Sequence, residues 1–284
     1  MSGFKFNKVY VLESLDGSVE KLTGTELHDD LLKRKAYQIE DFKTELLSIS
    51  SKEDFFDKLE EIKNDCVKEG YYPILHLEMH GSTDETGLVL VSGELVTWEE
   101  LARELRELNL VIENNLFITM AVCFGAFLMK LIKVNESAPF WGIIGSFEII
   151  YVYDLLLRYN EFYTEFLESF DLNKAIDKLH AANPSLESPF QFINSEQTFI
   201  NVNKKYFSEK FSKQAIKNRF EDGIKEEGIR IKDRNQMHEF RLNFTAQLHK
   251  TKRITFEEHK NIFFMINEFP GNSERFKVNY EDLQ

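Results

Sequence analysis

The chain has 284 residues, 43% of them hydrophobic and 29% charged, with 26 phenylalanines and only 5 prolines. This composition is typical of a globular protein and argues against disorder. The formal net charge of −13 argues against non-specific binding to nucleic acid or to an anionic membrane surface. Two cysteines and a polar start without a signal peptide favour a reducing, cytoplasmic setting over a disulfide framework.

Predicted strands and helices alternate through the first part of the chain. In chain order, the strong elements are a strand at 8–14, a helix through 27–32 capped by Thr23 or Thr25, a helix at 51–70, a strand at 72–81, a hairpin at 87–98, a helix from Thr97, strands at 116–123 and 138–146, and helices at 147–169 and 171–183. Alternation from residue 8 to about 169 predicts an α/β fold with a mostly parallel sheet flanked by helices.

The pattern changes at about Pro184, after which long polar helices with scattered aromatic residues dominate and no strand is predicted. We therefore expect a sheet-containing domain over residues 1–175 and a helical C-terminal region over residues 176–284. Since the aromatic residues of that region need cover, we expect it to pack against the domain, where it could regulate the domain or bind a partner.

Cys123 lies at the end of a predicted buried strand, in the stretch LFITMAVCFGA, and Gly125 suits a turn out of the sheet. A helix-like apolar pattern follows, so the thiol is expected at a helix N-terminus, which favours the thiolate. Taken alone, a cysteine in such a stretch is more often a buried residue that packs in the hydrophobic core. His80 and Gly81, which end another predicted strand, supply the partner that changes this interpretation.

The carboxyl ends of parallel strands meet at one edge of a sheet, and neighbouring strands lie roughly 4.8 Å apart. If these two strands are neighbours, the His80 imidazole faces the Cys123 thiol. A histidine beside a thiol stabilises the thiolate and later protonates a leaving amine. Backbone N–H groups of Gly81 and Cys123 could then stabilise a developing oxyanion.

A strand ending in His-Gly, followed by a hairpin, a helix and a strand ending in Cys-x-Gly, resembles the plan of the caspase-like cysteine peptidases of clan CD. That clan includes the caspases, legumain, separase and the bacterial CHAT proteases. The segments that carry the resemblance are HLEMHG, LFITMAVCFGA and APFWGIIGS, with LTGTEL weakly similar to a caspase segment after the first strand. The resemblance covers roughly residues 8–170.

The resemblance implies a cysteine endopeptidase with Cys123 as nucleophile, His80 as general base and acid, and an oxyanion hole at Gly81 and Cys123. It also implies a regulated enzyme without a cofactor, acting on a protein substrate and controlled by a protein partner. In bacteria such enzymes often act in defence or cell-death pathways.

Departures from the caspase pattern bear on specificity. Caspases have Gln two residues before the nucleophile, where this chain has Ala121, and the caspase Arg that precedes a Gly-Thr pair is missing near Leu22. Both residues bind an aspartate side chain, so cleavage after Asp is not expected. Glu13, at the end of the first strand, could favour a basic residue, and Ala121 and Ser146 are further candidate substrate contacts.

Two alternatives stay open. His76, Glu78 and His80 alternate along one strand face, and such an array could bind zinc for a hydrolase. We expect instead that His76 is a buried histidine with Glu78 as its hydrogen-bond partner, and that no metal is used. The second alternative is an inactive caspase-fold scaffold that binds a partner.

Overall fold

The computed structural model describes residues 3–228 and 233–283, and it confirms an α/β fold with a mostly parallel sheet flanked by helices. The strands are β1 Lys8–Ser14, β2 Lys43–Ser48, β3 Pro73–Gly81, β4 Gly87–Val89, β5 Leu95–Thr97, β6 Phe117–Ala121, β7 Gly142–Ser146 and β8 Phe190–Asn194. Within the described residues, no helix has the length and hydropathy needed to cross a membrane.

The helices are α1 Thr23–Leu27, α2 Lys33–Gln38, α3 Lys52–Glu69, α4 Trp98–Val111, α5 Val152–Ser169, α6 Leu172–Ala181, α7 Ser195–Lys210, α8 Lys213–Glu226, α9 Arg234–Phe263 and α10 Asn272–Arg275. A π-helical turn, His28–Leu32, joins α1 to α2, and short 3₁₀ helices lie at Gly125–Leu131 and Tyr280–Leu283.

The main sheet has the order β2-β1-β3-β6-β7-β8, and every neighbouring pair is parallel except β7 with β8. The β4–β5 hairpin continues from the carboxyl end of β3, where β4 pairs with His80 and Gly81. Every residue of β1 and of β6 is buried, because helices cover both faces of the central strands. The order makes β3 and β6 neighbours, as the predicted chemistry requires.

Local sequence signals explain the helix ends that border this core. The Ser51 side chain accepts a hydrogen bond from the Asp54 N–H at the start of α3, and Gly70 ends that helix with a φ of 71°. Thr97 and Glu100 form a capping box at the start of α4, which begins where the sequence predicts a helix.

Two strands were not predicted. β2 is an edge strand that pairs only with β1, and its mixture of polar and apolar residues gives no continuous apolar run. β8 lies beyond Pro184, where the sequence predicts helices only, and it adds an antiparallel strand to the sheet. The compact unit that contains the sheet consists of Met1–Ile132 and Ala138–Ser195, so it extends past the boundary expected at residue 175 because β8 belongs to it.

A buried arginine, Arg158, joins α5 to the chain that follows it. Arg158 is fully buried and its Nε donates to Asp154 at 2.7 Å. Its remaining nitrogens donate to the carbonyl oxygens of Leu179, His180 and Leu186, so the guanidinium holds the end of α6.

The second compact unit consists of Lys133–Ser137 and Glu196–Gln284. Its core is aromatic: the Phe199 ring lies 5.0–5.3 Å from the rings of Phe256, Phe263 and Phe264. His259 is buried, and its Nδ1 lies 2.9 Å from the Asn203 side-chain oxygen. Burial lowers the pKa of His259 below its ordinary value.

Candidate active site

His80 lies at the carboxyl end of β3, and Cys123 lies two residues after the end of its parallel neighbour β6. The last paired position between β3 and β6 joins Glu78 to Ala121, and each candidate residue lies two positions beyond it. Both side chains line one small cleft at the carboxyl edge of the sheet, together with Glu78 and Ala121. The structure therefore brings together the two residues that the sequence predicts.

Gly81 contacts the backbone of the cysteine turn. A Cβ atom built on Gly81 would lie 1.8 Å from the carbonyl oxygen of Cys123, so only glycine fits at this position. The backbone N–H of Ser82 donates to the Gly87 carbonyl at 2.9 Å. Along an antiparallel pair of strands, residues with hydrogen bonds to the partner alternate with residues that have none. The Gly81 N–H consequently points away from β4 and is not used by the hairpin.

The turn that presents Cys123 differs from the prediction. Phe124, not Gly125, has the left-handed conformation, with a φ of 62°. Gly125 lies in a tight space instead, because an added Cβ would lie 3.0 Å from the Met120 side chain, which would have to shift slightly. A 3₁₀ helix of only seven residues follows the turn. The helix dipole that the sequence predicts beside the thiol is therefore weak.

The segment 147–151 passes over the thiol. The sequence predicts a helix from Phe147, but α5 begins only at Val152. The N–H of Ile150 donates to Sγ of Cys123 at 3.3 Å. The cleft beside the thiol has a volume of about 70 Å³, well below the roughly 300–1,000 Å³ of typical ligand pockets. Ile150 of this segment therefore restricts the space beside the thiol.

Glu20 is a site residue that the sequence does not reveal. Its Oε2 lies 3.0 Å from Nε2 of His80, and both residues line the cleft. The His80 side chain is 58% exposed and that of Glu20 is 29% exposed. Glu20 lies in the loop LDGSVE between β1 and α1, whose composition indicates a turn and gives no sign of a partner 60 residues away.

His76 and Glu78 form a buried network below the cleft. Nε2 of His76 lies 3.0 Å from Oε1 of Glu78, as expected, and Nδ1 lies 2.7 Å from the Thr119 hydroxyl. The second oxygen of Glu78 accepts a hydrogen bond from the Thr23 hydroxyl at 2.7 Å. Tyr163 extends the network, with its hydroxyl 2.7 Å from that of Thr119.

This network leaves the zinc alternative without support. Both ring nitrogens of His76 have protein partners, and His80 pairs with Glu20 instead of converging with His76. Across residues 3–228 and 233–283, no group of three His, Cys, Asp or Glu side chains is arranged to hold a metal ion.

Tyr159 anchors the strand that leads to the thiol. Its hydroxyl donates to the Met120 carbonyl at 2.9 Å, three residues before Cys123. Burial raises the pKa of Tyr159 well above its ordinary value, and burial likewise raises the pKa of Tyr163. Both phenols therefore stay protonated at neutral pH and can act as hydrogen-bond donors.

Glu13 is not in a position to contact a substrate. It is only 4% exposed, and its carboxylate accepts hydrogen bonds from the Gly24 N–H and from the N–H and hydroxyl of Thr25. The prediction that Glu13 selects a basic residue is therefore wrong. The predicted helix cap is wrong as well, because the hydroxyls of Thr23 and Thr25 bind Glu78 and Glu13 and do not cap α1.

The other two candidate substrate contacts differ from each other. Ser146 is fully buried, and its hydroxyl accepts from the Glu148 N–H at 2.9 Å, so it shapes the start of segment 147–151 and is not free to bind substrate. Ala121 lines the cleft with a small apolar side chain and is 4% exposed. Of the three predicted contacts, only Ala121 borders the site.

The comparisons with known proteins add no family to this description: no protein-family model matches the chain, and a search of curated proteins finds no similar sequence.

Proposed function

We propose that the chain is a cysteine endopeptidase with a caspase-like catalytic domain, in which Cys123 is the nucleophile and His80 the general base and acid. The observation that carries the proposal is that these two side chains line one cleft, each two positions beyond the last paired residues of the neighbouring parallel strands β3 and β6. The order of strand, His-Gly, hairpin, helix and cysteine strand supports the resemblance to clan CD.

The proposed reaction uses groups at defined places. His80 takes the thiol proton on Nδ1, since Nε2 faces Glu20, while Sγ forms a bond to the scissile carbonyl carbon. The N–H of Gly81, which the hairpin leaves unused, and the N–H of Cys123 receive the oxyanion. The intermediate then collapses, the C–N bond breaks, and the imidazolium gives its proton to the leaving amine.

Deacylation reverses the roles. A water molecule attacks the thioester while His80 accepts its proton, the C–S bond breaks, and the thiol recovers a proton from the imidazolium. The carboxylic acid fragment then leaves. No metal ion is part of this sequence of steps.

Iodoacetamide labelling at pH 6 tests the proposal. We expect fast alkylation of Cys123, and a rate at least about tenfold slower in His80→Ala, because the histidine is what makes the thiol reactive. Cys66 serves as an internal control, since burial, followed by the charge of Asp65, raises the pKa of its thiol to about 12. His249→Ala, at an exposed position on α9, is the matched control and should leave the rate unchanged.

Peptide-library profiling supplies the second test. Cys123→Ala should abolish cleavage while the unfolding transition is retained, because the substitution removes little volume. Slow alkylation of Cys123, similar to that of Cys66 and insensitive to His80→Ala, would contradict the peptidase. That outcome would favour the inactive scaffold.

A further inference from the structure

Glu20 and the loop that holds it form a part of the site that the proposed dyad does not explain. Five hydrogen bonds lie within residues 16–20. The carbonyl of Asp16 accepts from the N–H groups of Val19 and Glu20, and its carboxylate accepts from the N–H and hydroxyl of Ser18. The fifth bond runs from the Asp16 N–H to Oε1 of Glu20 at 2.8 Å.

These bonds fix the orientation of the Glu20 carboxylate. One oxygen is held by the backbone of its own turn, so the other, Oε2, is directed at Nε2 of His80 at 3.0 Å. A carboxylate oxygen and an unprotonated imidazole nitrogen would repel each other at 3.0 Å, so this ion-pair contact favours a proton on Nε2 of His80. In the neutral imidazole, Nδ1 is then the nitrogen with a free lone pair.

We propose that Glu20 is a positioning residue of the catalytic site, which orients the His80 ring and selects the tautomer that presents Nδ1 as base to Cys123. The inference rests on the proposed peptidase function and extends its dyad to a Glu20–His80–Cys123 arrangement. Through the imidazolium stage of the reaction, the same carboxylate faces the positive charge and stabilises it.

The charged surroundings of His80 leave Glu20 as its direct partner. Lys21 lines the same cleft, but its ammonium pairs with Glu26 on α1. Glu78, two residues before His80 on β3, also lines the cleft, but its oxygens are taken by His76 and Thr23. Of the charged side chains that the structure describes around this cleft, Glu20 alone lies within ion-pair distance of His80.

Nitrogen NMR of the full chain with ¹⁵N-labelled histidine tests the tautomer directly, with the His80 signal assigned by its loss in His80→Ala. We expect the native protein to carry its neutral-form proton on Nε2 and Glu20→Ala to show a mixture of tautomers. Glu40→Gln removes one exposed carboxylate that does not line the cleft and should preserve the native spectrum.

Kinetics supply the second readout. Glu20→Gln and Glu20→Ala should lower kcat for peptide cleavage about 10- to 100-fold with little change in KM, since Glu20 acts through His80 and not on the substrate. The rate of Cys123 alkylation at pH 6 should fall in parallel. Thermal unfolding of each variant excludes a general loss of the fold.

The possible outcomes separate this inference from the proposed function. If alkylation depends on His80 but both the tautomer and the rate survive Glu20→Ala, the positioning role is overturned and the dyad stands. If rates rise in Glu20→Ala, Glu20 restrains His80 instead, and the inference is again overturned. If no peptide is cleaved and alkylation is independent of His80, the peptidase proposal fails, while the tautomer spectrum still decides whether Glu20 directs His80.

Discussion

Two buried threonine hydroxyls, one on α1 and one on β2, differ in whether they have a hydrogen-bond partner. The Thr23 hydroxyl donates to the buried carboxylate of Glu78 at 2.7 Å. The Thr44 hydroxyl is also buried, but within the described residues it has no hydrogen-bond partner. The two sites therefore allow the same substitution to be compared in the presence and absence of a partner.

We expect Thr23→Val to destabilise the protein by about 1–3 kcal/mol, because it leaves a buried carboxylate oxygen without its donor. Thr44→Val should be neutral or stabilising, because it removes an unsatisfied hydroxyl at nearly constant volume. Urea unfolding at pH 7 measures both free energies, and Thr23→Ser should retain most of the stability. Equal effects at the two positions would contradict the assignment of the Thr23–Glu78 bond.

At the scale of elements, the start of α4 couples stability to pH. Glu100 completes the capping box with Thr97 and also pairs with Lys52 of α3 at 2.7 Å. The hydrogen bond from Lys52, followed by that from the Thr97 N–H, lowers the pKa of Glu100 to about 2. The carboxylate thus joins two helices through its charged form.

The folded state binds the Glu100 proton less readily than the unfolded state does, so this contribution is present above about pH 4.5 and is lost as the pH falls towards 2. Glu100→Gln should therefore be less stable than the native protein at pH 7, and the difference should narrow between pH 5 and pH 2. Urea unfolding across this range measures it. Lys52→Met removes the largest cause of the lowered Glu100 pKa, so the free energy of unfolding of this variant should depend less on pH than that of the native protein. An unchanged pH profile would contradict the coupling between this ion pair and stability.

On the scale of the whole molecule, charge controls association. The formal net charge of −13 at pH 7 keeps molecules apart, and this repulsion vanishes near the isoelectric point of about 5.1. We expect light scattering at constant protein concentration to rise as the pH approaches 5 and to fall again when salt-free solutions are returned to pH 7. Scattering that stays flat through pH 5 would contradict this expectation.

Much of the sheet could be predicted because its central strands carry strong local signals. β6 reads as an apolar run after turn residues, and in β3 apolar residues alternate with His76, Glu78 and His80. β2 and β8 could not, because an edge or antiparallel strand needs only part of its surface covered and depends on distant partners. Helix caps at Ser51 and Thr97 were predictable since their partners lie within the same turn.

The candidate site likewise contains residues that could be predicted from the sequence and residues that could not. His80 and Cys123 could be predicted from strand ends, a local signal combined with one topological rule. The contact of Glu20 with His80 and the engagement of Thr23 by Glu78 could not, because a polar residue in a turn carries no trace of which distant side chain it meets. The conformation of Phe124 was missed because glycine at the next position is the more obvious left-handed residue.

The close contact of Gly81 with the Cys123 carbonyl couples the positions of the carboxyl ends of β3 and β6. Excluded volume limits how closely these two stretches of backbone could approach if the residue at position 81 were larger than glycine, whatever the conformations of the flexible side chains. Any side chain at position 81 would force the backbone of Cys123 to shift relative to β3, even though it touched neither the thiol nor the imidazole. Gly81, which has no side chain, therefore allows the close approach of the two backbones on which the geometry of the site depends.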